Sequence, residues 1–227
     1  MALILILETS TTVCSVALAQ DGDVLTSKEI NEGYTHSENL TVFIEAVLQM
    51  SGKKPKELDA ICISKGPGSF TGLRIGSSTA KGICFGLGIP LIAIDSLEGL
   101  SHTPKIEKTP NDIVCPMIDA RRMEVYAALF DADNKCIADT SPVILNTSSY
   151  ENILESNRIH FIGDGAKKFS EIISHPNALF PNNVLPSAIN FSHLSEQHYQ
   201  SSKFEDVAYF EPNYIKSFNA GKAVSQS

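Results

Sequence analysis

The sequence predicts an α/β protein built from two lobes that share one order of secondary-structure elements. Strand, strand, strand, helix, strand and helix follow one another before about residue 103, and the same order returns after it. A polar, proline-bearing stretch at Thr103–Asn111 separates the two runs. With 227 residues, of which 43% are hydrophobic and 19% charged, the chain is long and apolar enough for two such lobes.

The first three strands are indicated by their apolar patterns. Leu3–Leu7 is a continuous apolar run, typical of a central strand that is buried on both faces. Val13–Ala19 and Val24–Ile30 flank an Asp21-Gly22 turn, so we expect these two strands to pair antiparallel. No basic residues precede the first apolar run, and we therefore interpret it as a strand and not as a signal peptide.

An amphipathic helix follows the third strand. Thr35 and Glu38 have the spacing of a capping box, which predicts the start of the helix. Its apolar side chains recur at helical spacing and form one stripe: Leu40, Phe43, Ile44, Val47 and Leu48. Gly52 and Pro55 predict where the helix ends.

The rest of the first lobe surrounds a glycine-rich segment, KGPGSFTGLRIG, at residues 65–76. A buried strand, Ala60–Ser64, precedes the segment, and a second helix, Thr71–Gly86, begins within it. The strand Pro90–Ile94 completes the lobe. The segment therefore connects a buried strand to a helix, which is where many phosphate-binding loops occur.

The second lobe repeats the pattern. Its predicted elements are three strands, a helix, a strand and a helix, at Ile113–Ile118, Glu124–Phe130, Lys135–Asp139, Ser148–Glu155, Ile159–Gly165 and Ala166–Ser174. Two repeats of this order are the organisation of the actin-like ATPase (ASKHA) superfamily, in which two ribonuclease-H-like lobes face a cleft. We expect residues 1–103 and 104–227 to form the two lobes, with the tail after about residue 205 packing back on the first lobe. A helix near Leu194–Tyr199 and a short element at Tyr209–Ile215 complete the prediction.

The glycine-rich segment does not have the spacing of a catalytic loop. Gly68 and Gly72 are one residue too close for a P-loop, and Leu73 stands where that loop needs lysine. Thr71 occupies the third position of a dinucleotide fingerprint, and Ser69 lacks the flanking glycines of a nucleophile elbow. The segment instead predicts a tight turn, with Ser69 or Thr71 capping the helix that follows.

Small residues along this helix are its second unusual feature. They are Gly72, Gly76, Ser77, Ser78, Thr79, Ala80 and Gly82. Each glycine costs about 1 kcal/mol of helix stability relative to alanine, which indicates that something packs closely against the helix. Two alternatives remain open: the helix packs on the sheet of its own chain, or it contacts a helix of another subunit.

Charge and cysteine content restrict the function. The net charge of −8 argues against an exposed nucleic-acid groove formed by this chain alone. Five scattered cysteines without a CxxC pair predict a reducing, cytosolic compartment. Cys62, Cys84 and Cys115 lie in apolar runs, and we expect buried thiols there. No stretch reaches membrane-spanning length, so we expect no membrane association.

Two glycine- or hydroxyl-containing turns are candidate nucleotide contacts. Thr9, Ser10 and Thr11 follow Glu8 in a hairpin that either faces a phosphate or is simply rich in hydroxyl groups. Gly163–Gly165 stands where the second lobe of an actin-like protein presents its adenosine loop. Neither turn predicts ATP hydrolysis by this chain.

Charged residues give two more candidates. Asp119, Arg121 and Glu124 either face the cleft or form ion pairs at a strand end. His36 is either a general base or a surface histidine, and the absence of a partnered nucleophile favours the surface histidine. The remaining histidines lack ligand spacing, and we expect His193 and His198 to be exposed.

Five segments together resemble the TsaB (YeaZ) family. They are ILETSTTVCSVAL, HSENL, KGPGSFTGLRIGSSTAKGI, DSLEGL and IDARRMEVYAALF. The resemblance covers about Leu3–Phe130 closely and EPNYIK near the end more loosely, while Thr140–Phe204 contains little motif. TsaB is a bacterial subunit of the machinery that makes threonylcarbamoyladenosine beside the tRNA anticodon. The family has the actin-like fold, in agreement with the repeat.

TsaD, the catalytic paralogue, shares the glycine-rich motif but differs downstream. It has an H-x-E-G-H sequence whose two histidines, four residues apart on one helix face, hold a metal ion. This chain has Ser96 and Leu100 at those positions, and His102 lies two residues beyond the second. The resemblance therefore implies a chain without catalytic residues, metal ion or cofactor.

The resemblance also implies a role and partners. The chain would be a non-catalytic scaffold that binds and stabilises TsaD, with the small ATPase TsaE completing the assembly. It would meet tRNA only through the complex, and it would form homodimers in isolation. Contacts with TsaD would come from the two N-terminal helices. The expected interface residues are His36, Leu40, Phe43, Val47, Thr71, Leu73, Arg74, Gly76, Ser77, Ala80, Lys81 and Cys84. The alternative is a stand-alone actin-like ATPase or small-molecule kinase, or a peptidase acting on TsaD.

Overall fold

The computed structural model describes residues 2–33 and 35–215. Its first sheet contains β1 (Leu3–Glu8), β2 (Cys14–Gln20), β3 (Asp23–Ile30), β4 (Ala60–Ser64) and β5 (Leu91–Ile94), in the order β3-β2-β1-β4-β5. The first helix, α1 (His36–Ser51), follows β3, and the second, α2 (Phe70–Leu87), follows β4. β1 pairs antiparallel with β2 and parallel with β4, and β2 pairs antiparallel with β3 as predicted.

The second sheet has the same plan. It contains β6 (Ile113–Asp119), β7 (Glu124–Phe130), β8 (Cys136–Ile144), β9 (Ile159–Ile162) and β10 (Ala178–Leu179), in the order β10-β9-β6-β7-β8. A short helix, α3 (Ser96–Ser101), precedes this sheet, and α4 (Glu151–Leu154) and α5 (Ala166–Ser170) flank β9. The repeated order of strands and helices confirms the α/β class and the two-lobed actin-like fold.

Both faces of the first sheet are covered, which explains why β1 is apolar throughout. Helices α1 and α2 cover one face and pack their apolar side chains on Leu3, Leu5 and Leu7. The opposite face, with Ile4 and Ile6, is covered by a 3₁₀ turn at Ala188–Phe191 and by α6 (Ser192–Gln200). A strand that is buried on both faces has a continuous apolar sequence rather than an alternating one.

The second lobe has an aromatic core on one face of its sheet and α3 on the other. Phe161, Phe169, Phe180 and Tyr150 form a cluster of ring contacts with centroids 4.9–6.0 Å apart. On the other face, apolar residues of α3 pack against the second sheet although α3 follows the last strand of the first. Helix α3 therefore belongs to the core of the second sheet, although it directly follows the first sheet in the chain.

Some local predictions were wrong. Thr35 makes no side-chain capping bond to α1; its carbonyl accepts a hydrogen bond from Asn39 Nδ2 instead (3.2 Å). Helices α4 and α5 are shorter than predicted, and α3 and β10 were not predicted. Residues 209–215 form no regular element, and the predicted tail continues beyond the described residues. Every described helix is too short or too polar to span a membrane.

The C-terminal segment returns to the first sheet. Glu205 N donates to the carbonyl of Leu91 (2.8 Å), and Lys81 Nζ on α2 donates to the carbonyls of Ala208 and Phe210 (both 3.1 Å). Together with the 3₁₀ turn and α6, these contacts place residues 188–213 against the N-terminal lobe. We propose that the lobe boundary lies at residues 103–104 and that this segment crosses back over it.

Candidate functional site

The glycine-rich segment lies directly on the β1–β2 hairpin. Ser69 N donates to the carbonyl of Ser10 (2.6 Å), and Thr9 Oγ1 donates to the carbonyl of Gly72 (2.9 Å). Ser69 caps α2, since its hydroxyl accepts a hydrogen bond from Gly72 N (3.3 Å). The hairpin and the start of the helix are thus joined by one backbone hydrogen bond and by one hydrogen bond from a side chain to the backbone.

Glycine is required at the points of closest approach. A Cβ on Gly68 or Gly72 would overlap the carbonyl oxygens of Ser10 and Thr9, and a Cβ on Gly76 would overlap Thr9 Oγ1. Gly66 has a φ angle of +103°, a backbone conformation that residues with a Cβ atom rarely adopt. Gly72 and Gly76 in the first half of α2 therefore serve packing within the chain, which was the first of the two alternatives.

The hydroxyl-rich hairpin is closed to solvent. Thr9, Ser10 and Thr11 are all buried, and the glycine-rich segment lies directly on Thr9 and Ser10. Thr11 Oγ1 accepts a hydrogen bond from Val13 N (3.3 Å), and Thr9 Oγ1 is already bonded to α2. A phosphate has no access to these hydroxyls in this conformation, so the hairpin is best described as a hydroxyl-rich turn.

Glu8, at the end of β1, is the buried acid of this region. Ser10 N donates to Glu8 Oε1 (2.5 Å), while Oε2 has no hydrogen-bond partner among the described residues. Burial raises the pKa of Glu8 to about 7, an effect that the hydrogen bonds from Ser10 oppose. Ser64 lies beside it at the end of β4, with its hydroxyl buried. A proton on Oε2 would supply a donor for this group of oxygen atoms.

A second acid with a raised pKa, the half-buried Asp164, is in the turn after β9. Its Oδ1 accepts a hydrogen bond from Asp119 N (3.1 Å), and Gly165 N donates to the carbonyl of Met117 (3.1 Å). Burial raises the pKa of Asp164 to about 6, and this charge in turn raises the pKa of Glu8. A Cβ on Gly163 would overlap the Met117 carbonyl. The predicted adenosine loop is therefore a tight turn packed against β6.

Ser96 and Leu100 lie on the helix α3. Both are buried, and Leu100 belongs to the apolar cluster that joins α3 to the second sheet. Asp95 caps this helix by accepting hydrogen bonds from Leu97 N (2.8 Å) and Glu98 N (3.3 Å). Thr140 Oγ1 of β8 also donates to Asp95 Oδ1 (3.2 Å). The α3 region therefore packs apolar side chains on the second sheet, and the capping carboxylate of Asp95 fixes its start.

Most of the predicted partner-contacting residues are buried within the chain. These are His36, Leu40, Phe43, Val47, Leu73, Gly76, Ser77, Ala80 and Cys84. The fold packs these nine residues inside the chain, and their contact with TsaD stays a prediction. Thr71 and Arg74 are exposed and Lys81 is half-buried, and these three remain available.

The accessible face of the same two helices consists of other residues. On α2 the exposed stripe is Thr71, Arg74, Ser78, Gly82 and Phe85, which recur at helical spacing. Phe85 is 86% exposed, Val42 on α1 is 54% exposed, and Gly82 and Gly86 face open space. Phe85 could have been found from the sequence, because its spacing places this apolar residue on the same helix face as polar residues and not on the face of the buried stripe.

A groove adjoins the exposed end of this face. It has a volume of about 580 Å³ and lies between α2 and the returning C-terminal segment. Its lining residues are Lys81, Gly82, Phe85, Asp206, Val207 and Ala208. An exposed aromatic ring beside an open groove is the kind of surface that packs against another protein.

The remaining candidates have structural roles. His36 is buried and its Nε2 lies 3.2 Å from the carbonyl of Val13, so it is not a surface histidine. Burial lowers the pKa of His36. His198 is also buried, whereas we expected exposure, and His193 is exposed as predicted. Asp119 forms a strand-end ion pair, but its partner is Lys168 (2.8 Å) and not Arg121.

The described thiols are free. Cys62, Cys84 and Cys115 are buried, as predicted, and burial raises the pKa of each thiol. Cys136 is the exposed one among the five. Among the described residues there is no group of three or more histidine, cysteine, aspartate or glutamate side chains arranged to hold a metal ion.

Comparison with known proteins identifies the relatives of this chain. The family model described as tRNA N6-adenosine threonylcarbamoyltransferase, TsaD, matches residues 32–223. The tRNA threonylcarbamoyladenosine biosynthesis protein TsaB of Haemophilus influenzae is 28% identical over 224 residues, covering 94% of this chain and 93% of that protein. TsaB of Escherichia coli is 28% identical over 225 residues, covering 96% of each chain. The structure of YeaZ from Pseudomonas aeruginosa superimposes with a TM-score of 0.78 at 26% identity, covering 94% of this chain and 100% of that one.

Proposed function

Because the chain belongs to the TsaB (YeaZ) branch of the family that the TsaD model describes, with a role in tRNA threonylcarbamoyladenosine biosynthesis, we propose that it is a non-catalytic subunit that binds TsaD. In this role the chain stabilises the catalytic subunit and contributes no reacting group. TsaE completes the assembly, and tRNA is the substrate of the whole complex. Such an assembly works in the cytoplasm.

The observation that carries this proposal is the exposed face of α1 and α2. The buried stripe of α2 is fully used by the sheet, yet its opposite side exposes Phe85 together with Gly82 and Gly86. Small residues on a helix surface allow another helix to approach closely, and an exposed phenylalanine supplies apolar area to bury. We assign this face, and the adjoining groove, to TsaD.

The residues of α3 support an accessory role. In the resemblance, the catalytic paralogue holds its metal with two histidines where this chain has Ser96 and Leu100. Leu100 has no donor atom and is enclosed in an apolar cluster, so the residues present do not fit a metal ion. A chain that retains the fold and the glycine-rich motif, but has hydrocarbon at this position, is suited to binding rather than to catalysis.

The same face is also the one we assign to self-association. A homodimer of the isolated chain would use the exposed side of α1 and α2 while TsaD is missing. The two assemblies would then compete for one surface, because two partners cannot cover the same apolar side chains together.

The proposal is tested with Phe85→Glu and a matched control, Ile144→Glu. Ile144 is 73% exposed on β8, so both changes place a charge on an already exposed apolar position. We expect Phe85→Glu to weaken co-elution with TsaD at least tenfold and to reduce homodimer formation, since a buried charge in the contact is unpaired. Ile144→Glu should leave both unchanged. Normal TsaD binding by a folded Phe85→Glu variant would show that the face is assigned wrongly.

A further inference from the structure

The connection between β6 and β7 has an unusual backbone. Arg121 and Arg122 have φ angles of +71° and +50°, in the left-handed region where glycine and asparagine are favoured. Two consecutive arginines in this region are strained, and either could be replaced by a residue that suits the turn better. Backbone strain of this kind is retained where the side chains themselves are needed.

This connection is held firmly by one lysine. Lys168 Nζ on α5 donates to Asp119 Oδ1 (2.8 Å), to the carbonyl of Arg122 (2.8 Å) and to the carbonyl of Glu124 (3.0 Å). Asp119 Oδ1 also accepts a hydrogen bond from Arg121 N (2.6 Å). The three donors of the ammonium group are therefore all used, and the tip of the hairpin is fixed from its base.

The acidic groups near the tip are already engaged. Asp119 is neutralised by Lys168, Asp164 is turned inward to Asp119 N, and Glu124 is half-buried with a partner of its own. Arg121 and Arg122, in contrast, are exposed, and neither guanidinium has a hydrogen-bond or ion-pair partner among the described residues. Two uncompensated cations thus project from a rigid tip.

We propose that this hairpin tip, residues 119–124, presents Arg121 and Arg122 to the phosphate backbone of RNA. Guanidinium groups bind phosphate oxygens through paired hydrogen bonds, and a fixed tip lowers the entropy lost on binding. Because the chain has a net charge of −8, it can attract phosphate only where positive charges are concentrated in a small area. Two adjacent arginines form such an area. The inference rests on the proposed function, in which tRNA is the substrate of the complex.

The test variant replaces Arg121 with Asn and Arg122 with Gly. Both new residues suit positive φ angles, so R121N/R122G removes the cations while relieving the backbone, and its melting temperature should not fall. The control is Lys135→Ala, which removes an exposed cation after the opposite end of β7. A second variant, R121K/R122K, retains the charge but loses the paired hydrogen bonds.

Binding is measured by fluorescence anisotropy with the purified complex of this chain and TsaD and an unmodified, labelled tRNA transcript, between 50 and 200 mM KCl. We expect R121N/R122G to weaken tRNA binding about tenfold. The slope of log Kd against log salt concentration should also fall by about one to two. R121K/R122K should lie between this variant and the wild type, and Lys135→Ala should bind as the wild type does.

Three results would overturn the proposal. They are unchanged affinity and salt dependence in R121N/R122G, no tRNA binding by the wild-type complex, or loss of TsaD co-elution by R121N/R122G. The last result would identify the tip as a contact with an acidic protein surface. Failure of the proposed function is a separate observation, because it appears as failure of the wild-type chain to co-elute with TsaD before any RNA is added.

Discussion

Thr9 and Gly72 are joined by a hydrogen bond of 2.9 Å from the threonine hydroxyl to the glycine carbonyl, and this bond connects the two motifs that suggested nucleotide binding. One is the hydroxyl-rich hairpin and the other is the glycine-rich helix start. Each motif supplies hydrogen-bond partners to the other, so both are part of the core of the N-terminal lobe. Their residue types follow from close approach and not from a ligand.

This relationship predicts opposite effects for two Gly→Ala changes in α2. Gly72→Ala places a Cβ on the Thr9 carbonyl, a backbone atom that cannot move freely, and we expect a loss of about 3 kcal/mol or more of unfolding free energy. Gly82→Ala meets open space and should gain roughly 0.5 to 1 kcal/mol from helix propensity. Urea denaturation of both variants measures the difference. Equal effects would contradict the packing described for the first half of the helix.

The raised pKa of Glu8 predicts that the free energy of unfolding falls as pH rises. Its pKa is raised from 4.5 to about 7 in the folded chain, so the folded state holds the proton in a range where the unfolded state has lost it. Stability should therefore decrease between about pH 4.5 and 7, by an amount on the order of 3 kcal/mol for this group.

The variant Glu8→Gln isolates this contribution. It removes the titrating group while retaining its shape, so unfolding free energy measured from pH 5 to 8 should vary less than in the wild type. Asp164, whose pKa is raised to about 6, contributes in the same direction, and some pH dependence should remain. Parallel curves for the wild type and Glu8→Gln would disprove the role of Glu8.

The lowered pKa of Asp112 predicts the opposite pH dependence, a free energy of unfolding that falls as the pH becomes acidic. Arg158 contributes paired hydrogen bonds (3.0 and 2.7 Å), and Thr109 and His160 complete the contacts of this buried carboxylate. The Arg158 guanidinium holds the pKa of Asp112 well below its ordinary value of 3.8. Its contribution is therefore present above about pH 4 and is lost as pH falls below that value.

Asp112→Asn should destabilise the second lobe by about 2 to 3 kcal/mol, less than for a fully buried pair because Arg158 is half-exposed. The control is Asp23→Asn at the exposed start of β3, which should change stability by less than about 0.5 kcal/mol. Thermal and urea denaturation at pH 7 compare the two. A neutral Asp112→Asn variant would mean that the carboxylate charge is dispensable.

The buried hairpin also predicts inactivity toward ATP. Because Thr9, Ser10 and Thr11 are all buried, the purified chain should neither hydrolyse ATP with magnesium nor bind it at micromolar concentration. Isothermal titration and a phosphate-release assay measure these two properties. Turnover by the isolated chain, abolished by a substitution at Ser10, would favour the alternative of a stand-alone ATPase.

Periodicity predicted the helices and strands that carry the fold. The apolar run of β1, the stripe of α1 and the repeated element order were all readable, because burial on a sheet or helix face imposes a regular spacing on the chain. The capping box at Thr35 was wrong, since a local spacing does not decide which hydrogen bond the tertiary structure leaves room for.

What the sequence by itself determined is the fold and the family, because these depend on residue type and order alone. What only the tertiary structure decided is which face of each helix is free. The stripe from Leu40 to Val47 and the small residues up to Gly76 looked suitable for a partner, yet their own sheet and hairpin bury them. An apolar or small residue has the same chemistry whether it packs inside the chain or against another protein, and only the surrounding atoms distinguish the two.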